Sequence, residues 1–330
     1  MKIVIDDKIP YIREAVERLA DEVVYLRGSA IGAADVRDAD ALIVRTRTRC
    51  DERLLAGSRV RFVATATIGF DHLDTDYLER AGISWMNCPG CNAGSVAQYV
   101  GSVLILLKRM RGLRPAESTL GVVGCGHVGS RVAALAREMG FRVVVSDPPL
   151  GMEADLGSCD VISYHVPLTR RGPYPTSHMA DEAFFNGLTR VPYIINTSRG
   201  EVVDNDALLR ALDEGRVKDA IVDTWENEPR INRQLLERVM IGTPHIAGYS
   251  ADGKVNADNM VIAGLCRFLG IENNVHIEPP ALPADFRPSG SADDQRLQLY
   301  NPLNDSLKLK TAPEKFEELR GNYPLRREHF

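Results

Sequence analysis

The stretch GVVGCGHVGSRVAALAREMGFRVVVSD, residues 121–147, constrains the fold of this chain more than any other. An apolar run from Thr119 ends directly in Gly124, Gly126 and Gly129, and the apolar positions that follow (128, 132, 135, 136 and 139) have helical spacing. A second apolar run then ends in Asp147. Strand, glycine turn, helix and strand are the opening of a doubly wound parallel sheet. The first two glycines permit a tight turn and close backbone approach to a pyrophosphate, and the third lets helix and strand pack. Asp147 lies 18 residues after Gly129, where a carboxylate can bond both hydroxyls of an adenosine ribose and repel a 2′-phosphate. The pattern predicts a dinucleotide site that favours NAD over NADP. His127 and Val128 in the turn, and Val166 beyond the next strand, are expected to join Gly124, Gly126, Gly129 and Asp147 as cofactor contacts.

The strand rhythm extends well beyond this unit. Six strand candidates follow residue 119: TLGVVG, FRVVVSD, DVISYHV, VPYIINTS, KDAIVD and VMIGT. Before it, KIVID, VVYL, ALIVR, RFVATAT and GISWMN alternate with helical stretches such as YIREAVERLA. Nearly continuous apolar strands suit parallel sheets covered on both faces. The long helical pattern 92–110 leads from the first block to the second, and the one at 255–269 is placed to return. The expected fold class is α/β: a doubly wound NAD domain over 94–255 and a flavodoxin-like substrate domain over 1–93 with 256–280. From about 278, EPPALPADFRPSGSADDQ reads as a linker to a polar, charged tail.

Bulk properties exclude several classes. At 330 residues the chain is long enough for about two domains with a well-buried core. A net charge of −5 argues against nucleic acid or an acidic membrane as partner. The N-terminal MKIVIDDKIPY does not read as a secretory leader, the longest apolar run is too short to span a bilayer, and six scattered cysteines make no disulfide framework. A cytoplasmic protein is expected. Cys88 and Cys91 form a CxxC, but no second pair of soft ligands accompanies them, so no metal site is expected. They read as a turn leading into the long helix.

Several polar residues fall where parallel sheets bind ligands, beyond the carboxyl ends of strands. Arg199 follows YIIN, Asp223 ends AIVD, Glu228 lies five residues on, and His245 follows VMIGT. An arginine, a carboxylate and an imidazole beside a nicotinamide site describe hydride transfer on a hydroxy acid. Arg199 offers a planar fork for a substrate carboxylate. His245 is the expected acid/base, and Glu228 is expected to orient it and stabilise its charged form. In the first block, Arg45 and Thr46 end one strand and Thr67 another. Arg45 is a candidate ligand for a distal anion, and the amides of residues 68–69 are candidate carboxylate donors. Arg326 and Arg327 are weaker candidates that require the tail of a partner subunit.

GVVGCGHVG, NTSRGEVVDNDALLRAL, VDTWENEP and TPHIAG together resemble the D-isomer-specific 2-hydroxyacid dehydrogenases, over roughly residues 1–280. KIVIDDKIPY, ATATIGFDHLD, PGCNAGSVAQYV, GPYPTSHMAD and HIAGYSADGK resemble one branch of that family, whose substrate is a phosphorylated hydroxy acid. The resemblance implies catalytic Arg199, Glu228 and His245. It implies NAD contacts at Asp147, Asp223 and Gly248, and substrate contacts at Thr46, Thr67 and Tyr249. It also implies a homodimer joined by a small C-terminal dimerisation region, which 281–330 would supply incompletely. Two departures stand out. Only about 13 residues link Asp147 to DVISYHV, short for a parallel crossover that usually carries a helix, and the chain stops at YPLRREHF. A dehydrogenase for another 2-hydroxy acid such as 3-phosphoglycerate, or a dinucleotide-sensing corepressor of the same fold, are the alternatives.

Overall fold

The computed structural model describes residues 1–330, which divide into two compact units: Met1–Asn92 with Ser250–Leu282, and Ala93–Tyr249 with Pro283–Phe330. The sequence reading set its boundaries a few residues away, at 93/94 and 255/256. Residues from 283 onward pack within the second unit.

The first unit contains β1 (Lys2–Asp6), β2 (Glu22–Leu26), β3 (Ala41–Val44), β4 (Phe62–Thr65) and β5 (Ser84–Met86), all parallel, in the order β2-β1-β3-β4-β5. The pleat sends alternate residues to opposite faces. Ile3, Ile5, Ala41 and Ile43 join a core with Val261, Ile262 and Leu265 of the helix Ala251–Leu269. Val4, Leu42 and Val44 join a second core with Leu54, Leu55 and Leu78. Burial on both sides explains why these strands read as unbroken apolar runs. Cys88 and Cys91 are buried in the first of these cores.

The second unit contains β6 (Thr119–Val123), β7 (Arg142–Ser146), β8 (Val161–Tyr164), β9 (Tyr193–Asn196), β10 (Asp219–Val222) and β11 (Ile241–Gly242). Its parallel sheet has the order β11-β10-β9-β8-β6-β7. Ala220 and Val222 face one core and Ile221 the other. The helix Ala93–Arg111, buried through most of its length, lies in the core that takes Ile221. The strand order reverses between β6 and β8, which makes their carboxyl ends the natural ligand crevice.

Two features resolve or extend the sequence reading. The short crossover after β7 carries no α-helix: Pro148–Leu150 makes one 3-10 turn, and Asp147 and Met152 exchange backbone hydrogen bonds of 2.7 and 3.2 Å, closing a tight loop. The tail is more than a polar extension. Ala292–Leu299, Pro302–Thr311 and Phe316–Gly321 are helices, and Tyr300, Leu309 and Phe316 are buried in the cores of the second unit. No helix in the chain is long and apolar enough to cross a membrane.

Candidate active site

The glycine turn sits at the β6/β8 reversal. Gly124 has φ +89°, and a Cβ on it would lie 2.8 Å from the His165 carbonyl oxygen that follows β8. A Cβ on Gly129 would lie 1.8 Å from the Gly124 carbonyl oxygen, so only hydrogen lets helix and turn meet there. Gly126 differs, since a Cβ on it would point into open space. It is the N-cap of the helix His127–Glu138 and caps nothing with a side chain, so the first helical N–H groups remain available to an anion. Asp147 Oδ2 accepts from the Cys125 N–H at 2.6 Å, fixing the carboxylate against the turn. Val166 Cγ1 packs 2.8 Å from the position of a Gly124 Cβ. This cradle fits a dinucleotide pyrophosphate with an adenosine ribose beside Asp147. His165 is bonded to Ser163 Oγ at 2.8 Å, and burial holds it at a pKa of about 3, so this ring stays neutral.

Arg199, Asp223 and His245 follow β9, β10 and β11, three adjacent strands of the same rim. His245 has φ +55°, a left-handed backbone uncommon for a side chain this size, and such strain persists only where the surroundings hold it. Its N–H donates to the Asp223 carbonyl at 2.8 Å and the Thr243 carbonyl at 3.0 Å. Its Nδ1 is 2.8 Å from Glu228 Oε2 and 3.1 Å from Oε1, while Oε1 also accepts from the Trp225 N–H at 2.9 Å. Burial pushes the Glu228 carboxyl up, but His245, the Trp225 amide and Arg320 together bring it below the usual range. It is therefore a carboxylate at neutral pH, which selects the imidazole tautomer with hydrogen on Nδ1 and leaves Nε2 as the proton acceptor.

Arg199 is half-buried and donates through Nη1 to the Ser198 carbonyl at 2.9 Å; no hydrogen bond joins it to His245 or Glu228. Asp223 is built into the loop that carries His245. It is 1% exposed, and its carboxylate serves the His245 loop: Oδ1 accepts from Thr243 Oγ1 (2.6 Å) and the Ile246 N–H (2.8 Å), and Oδ2 accepts from the Ala247 N–H (2.9 Å). Gly248 and Tyr249 end the loop, and the Tyr249 hydroxyl accepts from Arg320 Nε at 3.0 Å. Arg320 Nη1 also lies 3.8 Å from Glu228 Oε2. Sequence reading missed Arg320, because it stands in a charged tail with no motif around it. Arg326 is 4% exposed and bonded within its own unit.

In the first unit, Thr67 Oγ1 is 2.7 Å from Thr65 Oγ1 and donates to the Gly69 carbonyl, while Thr46 is exposed. Arg45 is half-buried and donates to the Lys8 carbonyl at 3.0 Å. Two further ionisable residues, unnoticed in the sequence, stand near it. Burial pushes the Lys254 ammonium down and Arg45 adds to the effect. Burial pushes Asp258 up to about 7, against the opposing influence of the Tyr11 amide, Arg45 and Lys254.

Residues 98–247 match the model of the D-isomer-specific 2-hydroxyacid dehydrogenase NAD-binding domain. The chain is 52% identical to the erythronate-4-phosphate dehydrogenase of Bacteroides thetaiotaomicron, covering 99% of this chain and 97% of that one. It is 40% identical to the Escherichia coli O157:H7 enzyme of the same name, covering 99% and 92%. Among solved structures it resembles the NAD-bound 3-phosphoglycerate dehydrogenase of Entamoeba histolytica, with 27% identity, TM-score 0.69, and 84% and 99% of the two chains covered. It also resembles the D-lactate dehydrogenase of Aquifex aeolicus bound to NAD and lactic acid, with 26% identity, TM-score 0.67, and 81% and 95% covered. The chain belongs to the D-isomer-specific 2-hydroxyacid dehydrogenase family, in the branch of the erythronate-4-phosphate dehydrogenases.

Proposed function

We propose that this chain oxidises 4-phospho-D-erythronate to 2-oxo-3-hydroxy-4-phosphobutanoate with NAD, a step of pyridoxal 5′-phosphate biosynthesis. The observation that carries the reading is the His245–Glu228 pair at 2.8 Å, on the strand-end rim that also holds the glycine turn. The 52% identity to an enzyme named for this substrate, against 27% to the 3-phosphoglycerate enzyme, decides between the acids. A corepressor would not need the acid/base pair.

NAD bound on the glycine turn supplies the hydride acceptor. Gly126, His127, Val128 and Gly129 would hold its pyrophosphate through backbone N–H groups, Gly124 would let the turn approach it closely, Asp147 would hold its ribose, and Val166, Asp223 and Gly248 would lie along its remaining length. Arg199 orients the substrate carboxylate and polarises the C2 oxygen as it becomes a carbonyl. His245 Nε2 takes the C2 hydroxyl proton, and Glu228 stabilises the resulting imidazolium through Nδ1. Thr46, Thr67 and Tyr249 contact the substrate, and Arg45 takes the distal phosphate. The enzyme works in the cytoplasm as a homodimer. Exposed Leu307, Leu325 and Phe330 in the C-terminal region support self-association, which light scattering would test.

The deciding measurement is kcat/KM for 4-phosphoerythronate, erythronate and 3-phosphoglycerate. A charge-assisted contact to phosphate contributes roughly 1.5–3 kcal/mol, so erythronate should be at least about tenfold poorer. Equal turnover of erythronate and its 4-phosphate would refute the assignment.

A further inference from the structure

The loop that follows His245 is held from two sides. On one side its successive amides, Ile246 and Ala247, donate to the two oxygens of Asp223 at 2.8 and 2.9 Å. On the other side the carbonyls of the same two residues both accept from Arg326 Nη1, at 3.2 Å each. The remaining donors of that guanidinium are also used: Nη2 bonds the Ser95 carbonyl at 2.6 Å, and Nε bonds Gln98 Oε1 at 2.8 Å. Its plane lies 3.6 Å from the centroid of the Tyr300 ring. Ser95 and Gln98 belong to the helix Ala93–Arg111, so one arginine ties the loop to the most buried helix of the unit.

Every hydrogen-bond acceptor of Arg326 is a neutral carbonyl or amide oxygen. Burying a guanidinium with no carboxylate in contact is costly. Its opposite charge is the buried Asp223, met across the Ile246–Ala247 peptide group, whose carbonyl faces the arginine and whose N–H faces the carboxylate. This sandwich fixes the Ile246–Ala247 peptide from both sides and each flanking peptide from one, and His245, whose left-handed backbone needs such support, immediately precedes Ile246. A few residues earlier in the same segment, Arg320 bonds the Tyr249 hydroxyl at the far end of the loop and approaches Glu228, the partner of His245.

We infer that the C-terminal segment is part of the acid/base machinery of its own chain: Arg326 clamps the 246–247 peptide against Asp223, Arg320 braces Glu228 and Tyr249, and both are positioning residues for His245. The inference rests on the dehydrogenase reading, since it assigns His245 a proton to move. It also predicts that loss of the clamp is felt in kcat while the glycine turn, at another part of the rim, keeps its affinity for NAD.

The test is steady-state oxidation of 4-phosphoerythronate by the full chain and its Arg326→Met, Arg326→Lys and Arg320→Met variants, with NAD dissociation constants from fluorescence titration. Arg326→Met keeps much of the apolar stem but has no donors, and kcat should fall at least tenfold with NAD affinity within about twofold. Arg326→Lys, which can still reach one or two carbonyls, should recover part of that loss. Arg320→Met should lower kcat several-fold, again at unchanged NAD affinity, and decides the matter if Arg326→Met does not fold. Either arginine variant folding with native kcat would overturn the inference, as would parallel loss of turnover and NAD affinity with no rescue by lysine. If the unaltered enzyme fails to oxidise 4-phosphoerythronate, the functional reading falls first and the clamp with it; if it turns over and the variants match it, the clamp alone falls.

Discussion

The two units are variations on one topology. In the first, β1 stands between β2 and β3 with β4 and β5 beyond; in the second, β6 stands between β7 and β8 with β9, β10 and β11 beyond. Both begin on an inner strand, both are wholly parallel, and both bury apolar residues on each face. They differ at the first turn. After β1 the chain runs Asp6-Asp7-Lys8-Ile9-Pro10, and the Asp6 carboxylate accepts the Lys8 N–H at 2.9 Å, so the strand end satisfies itself. The helix that follows, Arg13–Glu17, has five residues. After β6 comes Gly124-Cys125-Gly126 and a helix of twelve residues with an uncapped N-terminus. The same sheet thus offers a sealed end in one unit and an open anion cradle in the other. Topology supplies a rim, and the turn chemistry decides what the rim can hold.

The sharpest way to break this contrast is to remove the chemistry from the second unit. His245→Gln should lower kcat by about 10² to 10⁴, the usual contribution of a positioned proton-transfer group, with NAD binding retained. Glu228→Gln should cost less, because the imidazole stays in place and loses only its charge partner. Rapid-mixing measurements of NADH formation separate the chemical step from product release. A His245→Gln enzyme of near-native kcat would reduce this residue to a loop histidine.

Matched glycine substitutions compare the two units directly. Gly129→Ala places a Cβ 1.8 Å from the backbone oxygen of Gly124, which cannot yield without opening the turn. Overpacking of this kind costs about 1–3 kcal/mol, so KM for NAD should rise roughly ten- to hundredfold. Gly28→Ala in the first unit would place a Cβ 2.3 Å from Asp6 Oδ2. That atom ends a side chain that can swing away, so KM for NAD should stay within about twofold. Equal effects at both positions would mean that the glycine turn has no special part in cofactor binding.

Much of this contrast was legible in the sequence because its causes are local. A glycine turn between a strand and a helix is written within ten residues, and doubly buried strands must be apolar throughout, so both elements and order could be read. Arg199, Glu228 and His245 could be named from their places at strand ends, and Glu228 and His245 do meet. What escaped reading depends on packing between distant segments. Arg320 and Arg326 lie in a tail whose composition is that of solvated surface, and only docking against residues 95–98 and 246–249 gives them partners. Asp223 reads as a rim carboxylate until the loop turns its amides inward. Lys254 and Asp258 sit on a helix that returns to the first unit from far along the chain, so no spacing signal links them to Arg45.

The third comparison concerns the charge of the first unit. Arg45→Ala should raise KM for 4-phosphoerythronate at least about tenfold and leave erythronate unaffected, since a charge-assisted contact contributes roughly 1.5–3 kcal/mol. Substrate-panel kinetics would read the difference. An equal loss for both acids would show Arg45 supporting the fold of the loop rather than a phosphate.

The smallest effect on turnover, and the one that isolates the first unit's electrostatics, is expected at Asp258. Its carboxyl is 1% exposed, and burial raises it from 3.8 to about 7, while the Tyr11 amide, Arg45 and Lys254 pull the other way. In the unfolded chain the same group ionises near 3.8. Between these values the folded state holds the proton and the unfolded state has released it, so this residue makes stability fall as pH rises, by up to about 1.4 kcal/mol per pH unit. Asp258→Asn removes that slope and keeps an oxygen for the Tyr11 N–H, which now donates to Asp258 Oδ2 at 3.2 Å. Urea unfolding of the two proteins between pH 5 and 8 should therefore show the variant gaining on the native chain as pH rises, with the gain levelling off above about pH 7. A stability difference that stays flat across this range would mean that Asp258 is already ionised in the folded protein, held so by Arg45 and Lys254. The first unit would then carry a buried ion cluster along this helix, in place of a carboxyl that burial keeps protonated below about pH 7 beside Arg45 and Lys254.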